Sequence, residues 1–485
     1  PTAEEPIYFF KHTLTQETVY QTLLTSRRQA LHAAAGRAFE TLCVDRLEDV
    51  YERLSYHYAA AGDAEKAVRY LSLFATKAAS GYAHAEAAKA LLKALTHAER
   101  LPEQSRNRRT LELVLQLAQS LFPLARFPQT RKLFLRYQGL VQRVDDAALA
   151  GRFAFWLAHT YSYLGDQEQA ETNALRAIAA AQQSGDVATE GQAWYLLSRD
   201  DFWSGRFSAG IEHGRKAVEL LERSTDRWWQ GQAYWVAGFH YYVLGKLDEA
   251  LDMMARAHAI WEALQDPRLD PSWSTGYFHA SMGEHDLGIE ECRGGLKRAR
   301  DPLNTAAALG FLGYAHLEKG NLVQATAALE NSVHQLEGAG MQQLLGWFSA
   351  FLAESYLLSG RMDEARQRAR RALEVTDSVR FRYGSGLSQR ALGRIQQAAG
   401  ELEEAASWFR EALTSFQAIQ APFEVARTRV DLALLAHARG EESEAARQLA
   451  DAGSAFSELR VPKLLERVRR LAEDWALPLV PLPTA

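Results

Sequence analysis

Apolar residues recur at helical spacing along almost the whole chain, and the recurrence is itself periodic. A small turn residue followed five positions later by alanine is found at Gly165 and Ala170, Gly245 and Ala250, Gly320 and Ala325, Gly360 and Ala365, Gly400 and Ala405, and Gly440 and Ala445. Gly205 and Gly283 keep the phase, with Gly210 and Gly288 in the place of the alanine. From 165 to 440 the turn glycines are 40, 40, 38, 37, 40, 40 and 40 residues apart. Earlier, Gly62 with Ala67 marks a further hairpin, and Ala125 with Thr130 fits one 40-residue step before Gly165. Glycine ends a first helix where the backbone must reverse, and alanine lets the second helix approach closely, so each unit predicts one helical hairpin. A lone hairpin cannot bury its apolar face. Neighbours must stack, and the expected fold is all-α, a right-handed superhelical solenoid with a concave inner surface.

Proline agrees with this reading, being absent from 129 to 266 and placed between hairpins at Pro267, Pro271, Pro302, Pro422 and Pro462. Residues 76–100 predict a shorter, alanine-rich hairpin. The expected organisation is a helical junction over 1–47, less regular hairpins over 48–110, the repeat array over 111–460, and a terminal helix and tail over 461–485. The tail from Leu477 to Ala485 carries three prolines and reads as frayed. The chain opens at Pro1 on residues that already look internal to a helical domain, which suggests a piece of a longer protein.

Composition narrows the function. With 24% charged residues and 47% hydrophobic ones the chain is neither disordered nor membrane-like, and its net charge of -5 offers nothing to a polyanion. Nucleic acid is therefore not an expected partner, and the arginines at 366, 368, 370 and 371 and from Arg460 to Arg470 read as solvated helix faces. Two distant cysteines, Cys43 and Cys292, make neither a CxxC pair nor a disulfide framework and suit a reducing cytoplasm. No apolar run is long enough to cross a bilayer, and no signal peptide is visible. Phosphate loops, HExxH and GxSxG elements are missing too; Gly245-Lys246 and Gly384-Ser385-Gly386 lack the flanking spacing. No catalytic residue, metal ligand or cofactor is expected. The histidines near first-helix turns, His57, His240, His279 and His316, read as packing or surface residues.

The hairpin at Gly245 places Tyr234, Gly238 and Tyr241 before its turn and Ala250, Met254 and Ala257 after it, which resembles positions 4, 8, 11, 20, 24 and 27 of the tetratricopeptide pattern. The 40-residue period exceeds that family's usual 34 and implies longer helices or connections. The resemblance also implies which first-helix positions face the groove: 2, 5, 9, 12 and 13. They fall on Phe155, His159 and Tyr163; on Tyr195, Arg199, Phe202 and Trp203; on Trp235, Phe239 and Tyr242; and on Trp273 and Tyr277. Tyr314, Trp347, Glu354, Arg390 and Arg394 continue the face. Seven of the eleven tryptophans, Trp194, Trp203, Trp228, Trp229, Trp235, Trp261 and Trp273, fall within a window of 80 residues. Inward aromatics with arginines among them suit a protein, peptide or small-molecule ligand, with the basic pair able to hold an acidic group. The alternative is that the rings fill a tight superhelix or meet another domain.

A second resemblance is more specific. Tyr8-Phe9-Phe10-Lys11-His12-Thr13-Leu14-Thr15-Gln16-Glu17, then Val19-Tyr20, Leu23-Leu24, Arg27-Arg28 and Leu31-His32, resembles the junction after the nucleotide-binding module of multidomain signalling ATPases of the STAND type, particularly those fused to class III adenylate or guanylate cyclases. Tyr51-Glu52-Arg53-Leu54-Ser55-Tyr56-His57-Tyr58, with Ala61-Gly62-Asp63 and Lys66-Ala67, is similar to their first repeat. Beyond residue 75 the likeness is to the generic repeats of these ATPases and of the maltose-regulon activator class. The resemblance implies a sensor region that regulates an upstream ATPase or cyclase. A stand-alone interaction scaffold without a switching role is the competing expectation.

Overall fold

The computed structural model describes residues 13–264 and 272–477. Every regular element among them is helical. The chain divides into two compact units, residues 1–122 with 136–145, and residues 123–135 with 146–485. Tyr8 to His12 of the junction motif, Pro267, Pro271 and most of the tail lie outside the described residues.

In the first unit α1 (Thr13–Thr22), α2 (Thr25–Leu42), α3 (Tyr51–Ala61), α4 (Ala64–Ser80), α5 (His84–Ala98) and α6 (Glu103–Leu121) follow one another, with a 3₁₀ segment Val44–Val50 between α2 and α3. The Gly62 turn joins α3 to α4 as the spacing predicts. Residues 76–100 differ from expectation: they are the end of α4 and the single helix α5. The unit is pinned by a carboxylate. Glu40 on α2 accepts hydrogen bonds from Tyr58 Oη at 2.7 Å, Tyr70 Oη at 2.5 Å and Lys66 Nζ at 2.9 Å. Partial burial alone would raise its pKa, yet the bonds from Lys66, Tyr70 and Tyr58 bring it down to about 2. This joins α2, α3 and α4, the segments in which the junction resemblance was found.

Helix α7 (Phe127–Val144) runs from the second unit into the first. Eight hairpins then build the second unit: α8 (Ala147–Tyr163) with α9 (Gln167–Ser184), α10 (Val187–Ser204) with α11 (Phe207–Glu222), α12 (Arg227–Val243) with α13 (Leu247–Leu264), α14 (Ser272–Ser281) with α15 (His285–Arg298), α16 (Pro302–Lys319) with α17 (Leu322–Ala339), α18 (Gln342–Leu358) with α19 (Met362–Ser378), α20 (Arg382–Ala398) with α21 (Leu402–Ala418), and α22 (Pro422–Ala438) with α23 (Glu442–Glu458). Helix α24 (Pro462–Asp474) follows.

The α12–α13 hairpin shows the local logic. Gly245 turns the chain at φ 74°, a left-handed conformation that costs glycine little. Ala250 and Ala257 are fully buried against the first helix, and a Cβ on Gly238 would stand 2.8 Å from Met254 Cε. Aspartates cap several first helices, as where Asp146 and Asp301 accept the backbone N–H groups of Leu149 and Asn304.

The two departures from the turn-plus-alanine phrase have steric causes. A Cβ on Gly210 would fall within the His240 ring, and one on Gly288 would stand 2.6 Å from the Gly276 carbonyl oxygen. The hairpins form a superhelix whose successive turns touch. A Cβ added at Gly165 would lie 2.8 Å from Val379, at Gly205 2.8 Å from Ile419, and at Gly245 2.5 Å from Leu459. Each pair is 214 positions apart (165 and 379, 205 and 419, 245 and 459), so one turn takes about five hairpins. Gln343 Nε2 donates to the Ser162 carbonyl and Gln167 Nε2 to the Val379 carbonyl, both at 3.1 Å, across the same seam.

Candidate partner-binding surface

The first helices of the second unit line the inside of the superhelix, and the predicted groove residues meet there. Most of them meet one another. Phe155, His159, Tyr195, Arg199, Phe202, Phe239, Tyr242, Tyr277, Tyr314, Trp347, Glu354 and Arg390 are buried. Tyr163, Trp203, Trp235, Trp273 and Arg394 are half-buried. The superhelix is tight enough for rings of hairpins far apart in the chain to pack on one another across its interior. Phe202 lies 5.9 Å from Trp347 and Trp203 5.0 Å from Phe381, while Tyr242 stacks on Phe278 at 4.3 Å and reaches Phe423 at 5.8 Å. Trp235 and Trp273 form an edge-to-face pair at 5.8 Å, and the Trp235 indole N–H donates to Ser274 Oγ at 2.8 Å.

At one end of this interior Arg199 donates to Ser162 Oγ at 2.7 Å, stands 3.1 Å from His159 Nε2 and lies 3.9 Å above the Tyr163 ring. Ser162 donates in turn to Asp200. Burial outweighs the nearby Arg199 and the Ser162 bond and pushes the Asp200 carboxyl up to about 7. Burial also lowers His240 to about 4; its Nε2 lies 2.9 Å from the Ser198 carbonyl.

The other end holds an ionic network. Arg390 Nη1 donates to Glu424 Oε2 at 2.5 Å, and Glu424 also accepts from Tyr383 Oη at 3.0 Å. The Tyr383 hydroxyl lies 2.9 Å from that of Tyr277. Arg394 makes two parallel bonds of 3.0 Å to Asp431 and a third, of 2.6 Å, to Glu354. Arg427 donates to Tyr314 Oη at 2.6 Å and to Glu318 at 2.5 Å. Burial alone would raise the Glu318 pKa; Arg427 and Arg394 hold it at about 2. Glu424 is lowered too, burial being overcome by Arg390 and Arg427.

Three arginines thus face four carboxylates in a largely dry interior. The basic pair predicted to receive an acidic ligand is matched by the protein's own acids. Five residues of this network were not singled out from the sequence. Arg427 and Glu318 occupy positions 2 and 13 of their hairpins, so the same register would have found them. Tyr383, Glu424 and Asp431 fall outside the five groove positions, and no sequence signal marks them.

Among the described residues no three His, Cys, Asp or Glu side chains converge as a metal site, and no helix is long and apolar enough to cross a membrane. Residues 151–184 and 346–418 each match tetratricopeptide repeat profiles. No curated protein sequence matches the chain. Among solved structures, a Rap protein complexed with competence and sporulation factor aligns at a TM-score of 0.53 and 15% identity, over 73% of this chain and 98% of that one. The Cut9–Hcn1 hetero-tetramer of the APC/C aligns at 0.38 and 16% identity, over 94% and 99%. A monomeric IFIT1 mutant with Gppp-AAAA aligns at 0.45 and 14%, over 84% and 90%. The regular structure of the described residues is thus all helical, and the second unit is a tetratricopeptide-like superhelical solenoid in which residues 151–184 and 346–418 match tetratricopeptide repeat profiles.

Proposed function

We propose that this chain is the partner-sensing region of a cytoplasmic signalling protein, with its first unit docked on a nucleotide-binding module and its second unit receiving a protein, peptide or small-molecule ligand. One observation carries the reading. Seven large apolar side chains between residues 19 and 56 are exposed, including Leu24 at 77%, Leu42 at 81%, Val44 at 69% and Tyr56 at 60%. Elsewhere such residues are scattered singly, as is ordinary for a protein surface. Concentrated exposed apolar surface marks an interaction site. Here it coincides with the stretch that resembles the junction of STAND-type ATPases, including those linked to cyclases. The Rap structure that shares the fold is itself a complex with competence and sporulation factor, which agrees with ligand reception by the solenoid.

On this reading ligand contact in the second unit falls first on the accessible members of the groove set, Trp235, Trp273, Tyr163, Trp203 and Arg394. A second reading, a stand-alone scaffold without switching, is favoured by the mutual packing of the buried rings, since a filled interior behaves as a rigid body. The test begins upstream of Pro1. A parent reading frame that encodes a phosphate-loop ATPase there, whose purified module binds this chain and loses binding with Leu24→Glu and Leu42→Glu, supports the sensor reading. A frame without such a module, or binding indifferent to both substitutions, rejects it in favour of the scaffold.

A further inference from the structure

The seam between superhelical turns repeats, and one rung of it differs from the others. At three rungs an aliphatic side chain, Val379, Ile419 or Leu459, seats on the turn glycine 214 positions before it, Gly165, Gly205 or Gly245. One repeat earlier the same spacing pairs position 125 with position 339. Both are alanines. The equivalence holds in the backbone: Arg380, Gln420 and Arg460, each following its aliphatic residue, have φ 55°, and Gly340, following Ala339, has φ 73°. It holds in the flanking helix as well. Pro422 stands 2.9 Å from a Cβ at Gly245, and Pro302 occupies the corresponding place beside Ala125.

Where the other rungs hold a Val, Ile or Leu side chain, this one holds a cleft of about 440 Å³. Its lining includes Ala125, Pro128, Pro302 and Ala339, with Arg126, Gln129 and Gln335 as its polar members. Pro128 and Arg126 are exposed. The size lies within the range of about 300–1,000 Å³ usual for ligand sites, and walls of short apolar residues with few polar groups are what such sites present.

We propose that this cleft is a binding site for a partner polypeptide that inserts a branched aliphatic side chain between Ala125 and Ala339. The protein supplies the argument for the occupant. Three times over, the same pair of helix ends is bridged by such a side chain carried on a loop with a left-handed residue after it. An acidic residue beside the anchor would reach the Arg126 guanidinium. The proposal rests on the interaction-scaffold reading but not on an ATPase partner, and its failure leaves the junction experiment untouched.

The test uses the chain's own loop as probe, a synthetic peptide of residues 415–422 with photo-leucine in place of Ile419, mixed with the full chain and irradiated. The expected result is saturable crosslinking to residues 124–129 and 335–339, suppressed by an excess of the unlabelled peptide and not by its Ile→Gly version. Ala339→Leu, which fills the cleft from within as the other rungs are filled, should lower crosslinking about tenfold, as loss of a buried anchor does. Gln335→Trp, which covers the cleft from the rim, should do the same and serves if Ala339→Leu fails to fold. Crosslinks spread over the surface, or undiminished in a folded variant of either kind, would overturn the assignment.

Discussion

Restoring the repeat's own preferred residue at position 210 should damage the protein. Alanine stands at the equivalent place in seven hairpins, and in a helix interior Gly→Ala ordinarily stabilises by about 1 kcal/mol. Gly210 sits inside α11, so propensity alone argues for a gain. The structure argues the reverse. A methyl group there would enter the space of the His240 imidazole, which is fully buried and held between Ser198 and the Gly210 backbone. Ser198 Oγ donates to the Gly210 carbonyl at 2.7 Å, so helix α11 cannot move away without breaking that bond.

Overpacking of this kind costs about 1–3 kcal/mol, and the clash wins over propensity. Gly210→Ala should therefore destabilise the region by that amount. In a His240→Ala background the obstacle is gone, and the same change should stabilise by up to about 1 kcal/mol. The sign reversal, measured as a double-mutant cycle by native-state hydrogen exchange of α10, α11 and α12 amides, is the signature. Gly210→Ala that is neutral or stabilising with His240 in place would refute the reasoning, because the ring would then yield to a methyl group.

Glu424→Gln should cost about 3–5 kcal/mol in urea unfolding of the second unit, because it leaves buried Arg390 with only the Asp431 carboxylate, 4.0 Å away and already bonded to Arg394; Glu403→Gln, at a pair whose carboxylate is 92% exposed, should change stability by less than about 0.5 kcal/mol. Asp200→Asn gives a pH-dependent prediction. The folded pKa of about 7 lies above the unfolded value near 3.8, so the parent's advantage from a protonated Asp200 is full below pH ~4 and lost as pH rises through 7. The stability of the Asn variant relative to the parent should thus climb by a few kcal/mol (about 4 at most) between pH 4 and 8, and a flat difference would show Asp200 ionised throughout. Taking the difference between the two proteins removes His240, whose lowered pKa makes its contribution fall away as pH drops from 6.5 through 4, in the opposite sense. Glu40→Gln should loosen α2 to α4 by about 1–3 kcal/mol, since Lys66, Tyr58 and Tyr70 lose a charged acceptor; amide exchange in residues 51–80 should rise while that of the second unit stays unchanged.

The hairpins were legible because their determinants are local. A glycine at a left-handed turn and a small residue five positions later are enough to place two helices, and the exceptions at Gly210 and Gly288 keep the phase because the same close approach operates through a different neighbour. The inward face was legible for the same reason, as a helical register extended from a turn. Its burial was not. Whether Phe202 meets solvent or Trp347 depends on a rotation summed over several hairpins, and small per-repeat angles leave no mark on any one segment. The ionic network shows the same limit: Arg390 and Arg394 were visible as basic residues on the inner face, whereas their partners Glu424 and Asp431 are set by the approach of a later helix.

Closure of the superhelix bears directly on how a ligand could act. An open solenoid is stabilised by nearest neighbours alone, so a concave groove receives a ligand at no structural cost. In this chain three rungs close the seam: Val379 and Ile419 are buried and contribute about 1.5–3 kcal/mol each, and the half-buried Leu459 contributes less. Together they give roughly 4–8 kcal/mol, before counting the ring contacts across the interior. Coupling energies in allosteric proteins are typically about 1–3 kcal/mol, well below that sum. A ligand that opened the interior would need an unusually large preference for the open form, whereas one that engages the Trp235–Trp273 rim, the cleft beside Ala125 or the apolar surface of α1 to α3 need not disturb the seam. On the proposed reading the energetics therefore favour recognition on those accessible surfaces, and leave the buried aromatic and ionic residues the task of holding the second unit's superhelix closed.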